Sequence, residues 1–260
     1  MFRIFKYSFY DLFRSRWTMI YFLFYLILTS GLLYLSGNQS KVIITLMNVI
    51  LILNPLISTI FGVMYFYNSR EFTELLLAQP VKRRDIFLGQ YLGLSSSLGL
   101  SFLAGVALPF ILYGVFGTDD ALDFLILLLV GFVLNYIFCA FSFWIGLKYD
   151  HKIKGFGLAI LFWLFMAVIY DGLFLVLLIS FNDYPLEKFV LITSILNPID
   201  LSRILILLQL DISALMGYTG AVFHKFFGTN QGIIIAFLSL FSWLLIPVYG
   251  MLRLSRKKDF

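Results

Sequence analysis

From Ile86 to Phe116 the chain runs without one charged side chain. This pattern recurs: apolar runs of roughly 20 residues or more alternate with short charged clusters. A helical run of that length matches the roughly 30 Å hydrocarbon core of a bilayer. Only 13% of residues are charged and 61% are hydrophobic, whereas a soluble domain carries about 25% charged residues. The reading is an integral membrane protein, all-α. The net charge of +5 does not point to nucleic acid, because the cations sit in clusters between the apolar runs. A single cysteine excludes an internal disulfide framework.

The first residues, MFRIFKYSFYDLFRSRW, are basic but lack a small-residue cleavage site, so a signal peptide is not indicated. Phe2, Phe5, Phe9, Leu12 and Phe13 share one helical face, and Arg3, Lys6, Tyr10 and Arg14 share another. Residues 1–16 are expected to lie in the headgroup layer as an amphipathic elbow helix. The alternative is a continuation of the first span.

Six transmembrane helices are expected, at Trp17–Leu35, Val42–Tyr67, Ile86–Phe116, Phe124–Leu147, Phe156–Ser180 and Gly232–Leu252. Fifteen of the nineteen Lys and Arg residues then fall on one side, within 3–16, 70–84, 148–154 and 253–258. Lys41, Lys188, Arg203 and Lys225 fall on the other. The positive-inside rule makes the basic side, and with it both termini, cytoplasmic. Residues 181–231 become an extracytoplasmic segment. Part of it is apolar enough to suggest a seventh span, but Asp200, Arg203, Gln209 and Asp211 argue against one, since a charge at a helix centre costs about 2.5–3.5 kcal/mol. Asn197-Pro198-Ile199-Asp200 is a good helix start and Gly217 a plausible stop. So apolar a helix must pack on the spans, on lipid or on a partner. Asp171 is the one acid well inside an expected span. It reads either as a transport-path or dimer-interface residue, or as a group satisfied at the outer interface or by a hydroxyl such as that of Tyr170.

Catalytic motifs are absent. There is no G-x-x-x-x-G-K-[ST] loop to cradle ATP, no H-E-x-x-H and no G-x-S-x-G. His151 and His224 fall on opposite sides of the membrane, and Cys139 reads as a packing residue. No enzyme and no metal site are expected. The nearest thing to a catalytic cluster is Asp171 with Asp200 and Arg203.

One stretch interrupts the apolar pattern. ELLLAQPVKRRDIFLG, residues 74–89, falls on the cytoplasmic side. Residues 68–77 read as a helical continuation of the second span, with Arg70 and Glu74 one turn apart. Pro80 forces a break, and VKRRD leads into the third span. A solvated loop has no use for the apolar run LLLA; a surface that receives another protein does.

EFTELLLAQPVKRRDIFLGQYLG resembles the signature between spans two and three of type 2 ABC exporter permeases. YDGLFL at 170–175 and NPIDLSRILILLQLD at 197–211 are similar to the Nos-type permeases, the membrane subunits of the copper-processing system for nitrous oxide reductase maturation. The resemblance implies that 68–85 is a cytoplasmic coupling helix seated in a separate ATPase subunit. Glu71, Glu74, Gln79, Pro80, Lys82, Arg83 and Arg84 would lie at that contact. It further implies two ATPase copies that hold ATP and Mg, a second permease copy, and an extracytoplasmic solenoid protein. The candidate dock for that last partner is 181–231, with Asn197, Asp200, Arg203 and Asp211. The location implied is the bacterial inner membrane, and the chain itself would bind no cofactor. The rival within the superfamily is an exporter of a lipid, drug or polysaccharide.

Overall fold

The structure is a computed structural model that describes residues 1–36, 38–117, 120–181, 187–210 and 230–257. Its helices, in chain order, are α1 (Phe2–Phe13), α2 (Arg16–Ser36), α3 (Gln39–Asn68), α4 (Arg70–Leu77), α5 (Arg83–Leu112), α6 (Ala121–Lys148), α7 (Lys152–Leu164), α8 (Tyr170–Ser180), α9 (Glu187–Ile195), α10 (Pro198–Gln209) and α11 (Asn230–Lys257). Five residues in π-helical geometry, Phe165–Ile169, join α7 to α8 as one span. Among the described residues, six helices are long and apolar enough to cross a membrane. The third ends at Leu112, short of the expected Phe116, where Tyr113 caps it and Gly114 turns with φ +75°.

The spans share a buried apolar core and also present apolar side chains outward. In α2 the buried stripe is Thr18, Tyr21, Tyr25, Thr29 and Leu33, while Trp17, Met19, Ile20 and Ile27 are exposed. Lipid is as apolar as leucine, so what favours contact between spans is close approach and hydrogen bonding. Both are present. Gly89 and Gly93 in α5 form a trough for α1: a Cβ on Gly93 would lie 2.6 Å from Ser8 Cβ and 3.0 Å from Phe9 N. On α1, Ile4 and Ser8 face this trough and are buried. Phe2, Phe5, Phe9 and Phe13 follow one another along another face, with ring centroids 5.5–6.1 Å apart.

The centre of the bundle is the pair α3 and α6, which run parallel. A column of polar contacts joins them. Asn54 accepts from the Tyr21 hydroxyl and donates to Gly131 O at 2.6 Å. Ser58 donates to Asn135 Oδ1 at 2.6 Å, Ser142 to Thr59 O at 3.1 Å, and the Tyr67 hydroxyl to Tyr149 O at 2.6 Å. Cys139 is buried in this seam, its thiol 3.5 Å from Asn135 Oδ1.

The segment after the fifth span packs into the bundle. α9 and α10 meet at a 111° bend around Asn197. The bend sits at mid-height, because Trp243 Nε1 donates to Ile195 O at 2.9 Å and Asn197 Nδ2 to Met166 O at 2.8 Å. Met166 and Trp243 lie near the middles of their own spans. α10 then climbs to Gln209, whose side chain hydrogen-bonds Asp123 in the first turn of α6. The pair thus enters and leaves at the end of the bundle opposite α4. Of the three surfaces open to so apolar a helix, it uses the spans.

Candidate functional site

Two places gather the residues singled out by sequence. The first is the segment between α3 and α5. Its helix is a separate one rather than a continuation of α3: the backbone breaks at Ser69, and α4 starts at Arg70. Thr73 then turns inward, donates to Ser69 O at 2.9 Å and accepts from Gln90 Nε2 at 2.9 Å. Phe72 stacks on Tyr7 of α1 with centroids 4.9 Å apart. α4 is thereby fastened to both α5 and α1.

Opposite these attachments lies an exposed stripe of Glu71, Glu74, Leu75 and Ala78, at the spacing of one helix face. Leu75 is 68% exposed. Arg70 and Glu74 form an ion pair at 3.0 Å on the surface. Pro80 sits in the turn after α4, where Val81 N donates back to Gln79 O at 2.7 Å. Gln79, Pro80, Lys82 and Arg83 extend the exposed surface beyond the stripe. Arg84 diverges from them and lines a cleft with Arg253 and Arg256 of α11. Nothing in this segment is arranged to break a bond; it is a surface with acids on the helix and cations after the turn.

The second place is the bend in α9–α10. Asn197 caps α10 by accepting from Ile199 N at 3.0 Å, with Pro198 in the first turn, as its sequence predicts. Asp171 pairs with Arg203 Nη1 at 2.8 Å, and Arg203 also reaches Asp200 Oδ1 at 3.4 Å. Asn197 Nδ2 donates to Asp200 Oδ2 at 3.0 Å. Asp171, Asn197, Asp200 and Arg203 therefore form one network that ties α10 to α8. Tyr170 is not the partner of Asp171; its hydroxyl donates to Thr193 O at 2.6 Å. The π-helical residues 165–169 supply the Met166 carbonyl that Asn197 takes, since such a turn breaks the regular ladder. Asp211 lies outside the described residues, as do Gly217 and His224. Among the described residues, no group of three or more His, Cys, Asp or Glu side chains could hold a metal ion.

Sequence reading missed Thr73 with Gln90, Tyr7 with Phe72, and the Asn54 and Asn135 seam. The seam carried a signal, two amide side chains inside apolar runs, and so did Gln90.

The six-span all-α bundle is that of a membrane-embedded permease subunit of an ABC transporter, as the family match shows. Residues 9–216 match the model of the family described as ABC-2 family transporter protein, and the chain belongs to that family. It is also similar, at 24% identity, to the probable ABC transporter permease protein NosY of Stutzerimonas stutzeri. That alignment covers 92% of this chain and 93% of NosY.

Proposed function

We propose that this chain is the permease subunit of a Nos-type ABC transporter. It couples ATP hydrolysis by a separate ATPase to transport, or to mechanical signalling, across the inner membrane during maturation of the copper sites of nitrous oxide reductase. The exposed stripe of α4 and the turn at Pro80 carry this reading; the likeness to NosY along nearly the whole chain supports the finer part. ATP and Mg are held by two ATPase copies on the cytoplasmic side. A second permease copy pairs with the first, and an extracytoplasmic solenoid protein sits over residues 181–231. In this reading Asn197, Asp200 and Arg203 hold the dock from below.

The mechanism is a relay between two states. Closure of the ATPases displaces α4. The Thr73–Gln90 bond and the Tyr7–Phe72 stack pass that displacement to α5 and α1. The α3–α6 seam moves as one body, and the α9–α10 bend, attached to the fifth span through Arg203, registers the movement at the far end.

Copurification of the permease with its ATPase subunit tests the coupling surface. Charge reversal at Glu71 and Glu74, or at Lys82 and Arg83, is expected to weaken association about tenfold or more; undiminished association sinks the assignment. The maturation reading is tested separately by the copper content of nitrous oxide reductase in cells lacking this chain. Unchanged copper shifts the reading to export of a lipid, drug or polysaccharide.

A further inference from the structure

Arg84, Tyr249, Leu252, Arg253 and Arg256 line a cleft of about 710 Å³ between the start of α5 and the end of α11. Tyr249, Leu252, Arg253 and Arg256 share one face of the last turns of α11. No acid lines the cleft among the described residues. The Nε of Arg84 is buried and has no hydrogen-bond partner among the described residues. A buried donor without an acceptor is uncommon and costly, so its natural complement is an anionic oxygen. Arg84 is the second residue of α5, and the partial positive charge of that helix start adds to the three guanidinium groups.

The level of the cleft identifies the anion. Immediately after Asp85 the apolar run of α5 begins, and at Leu252 the apolar run of α11 gives way to cations. The cleft thus lies where two spans leave the hydrocarbon, at the depth of lipid phosphates. Tyr249 is 68% exposed beside it, as suits a ring at the headgroup boundary.

We propose that this cleft binds the headgroup phosphate of an anionic phospholipid. Basic pockets between spans at the cytoplasmic surface take such headgroups, and planar guanidinium forks match phosphate oxygens. The site adjoins the segment that leads from α4 into α5, so an occupied cleft steadies the base of that segment. The proposal depends on the spans alone and not on the pairing with an ATPase.

The test uses the full chain purified in neutral detergent, without the ATPase. Native mass spectrometry measures retention of phosphatidylglycerol against phosphatidylcholine. Preferential retention of phosphatidylglycerol is expected. The double change Arg253→Gln, Arg256→Gln is expected to weaken it about 25-fold, at about fivefold per cation removed. Arg84→Lys keeps the charge but removes the Nε donor, and is expected to weaken retention a few-fold with the fold intact. Lys6→Gln removes a cation from α1 on the same face and is expected to change nothing. Equal retention of the two lipids overturns the proposal. So does an unaltered double variant, an equal loss with Lys6→Gln, or displacement of phosphatidylglycerol by millimolar inorganic phosphate.

Discussion

Replacing Gly93 by alanine tests how tightly α1 is seated on α5. The added Cβ would lie 2.6 Å from Ser8 Cβ, 3.0 Å from Phe9 N and 3.2 Å from Phe5 O, against an ordinary closest contact of 3.4 Å. The nearest atoms belong to the backbone or to a Cβ, which no rotamer change can move. α1 must therefore retreat by roughly 0.8 Å. Two effects oppose each other. Alanine in place of a helical glycine gains about 0.4–1 kcal/mol from lost unfolded-state freedom. Overpacking costs about 1–3 kcal/mol. The clash outweighs the gain, for a net loss of about 1–2 kcal/mol. In a chain of this size that lowers Tm by about 3–6 °C. The only cysteine, Cys139, is buried, so a thiol-reactive fluorogenic dye reports unfolding during a thermal ramp in detergent. Ser8→Gly removes the closest atom and itself costs about 0.5 kcal/mol in helix propensity. With Gly93→Ala, the pair should be less destabilised than the sum by about 1 kcal/mol. Gly31 has nothing within 4 Å of a built Cβ, and Gly31→Ala should melt at or slightly above the unmodified temperature. If Gly93→Ala melts no lower than the unmodified chain, or if the double change is additive, the close seating of α1 is wrong.

Two further expectations concern polar groups among the spans. Arg203→Met leaves Asp171 and Asp200 facing one another without their cation. It should destabilise by about 2–4 kcal/mol, at or below the range for a broken buried pair because these side chains are partly exposed. Asp171→Asn should cost less, since Arg203 keeps Asp200. The same dye assay reads both, and equal losses would contradict the network. Asn54→Ala strands the buried Tyr21 hydroxyl and removes the second bond to the Gly131 carbonyl, and should cost about 1–3 kcal/mol; a loss under half a kcal/mol would show that the seam carries no weight.

The spans were legible because hydropathy over twenty residues is a local property, and the structure agrees on all six. The Asn197-Pro198 cap and the break at Pro80 were legible for the same reason: each is chemistry within four residues. The rest depends on partners distant in sequence. That α10 packs among the spans follows from the Met166 carbonyl and the Trp243 indole, about 30 and 48 residues from the groups they meet. Asp171 and Arg203 were each noted as awkward in an apolar setting, yet nothing local says that they answer one another. The bond between Thr73 and Gln90 was invisible because its partners sit 17 residues apart on different helices. Polar residues in apolar runs are the usable clue, for Asn54, Ser58, Gln90 and Asp171 each found a partner on another helix.

The α3–α6 seam has a consequence for how the protein is made. Asn54 and Gly131 are 77 residues apart, as are Ser58 and Asn135. At about 5–20 residues per second of synthesis, α3 waits roughly 4–15 seconds in the membrane before α6 arrives. Through that interval Asn54 has neither the Gly131 carbonyl nor anything else on α6 to bond. Two further segments, α4 and α5, must be threaded first. The central contact of the finished bundle therefore waits for the fourth span, near the midpoint of the 260-residue chain. A nascent chain halted before Gly131 would keep the Tyr21–Asn54 bond but leave the Asn54 Nδ2 and the Ser58 hydroxyl without their α6 acceptors.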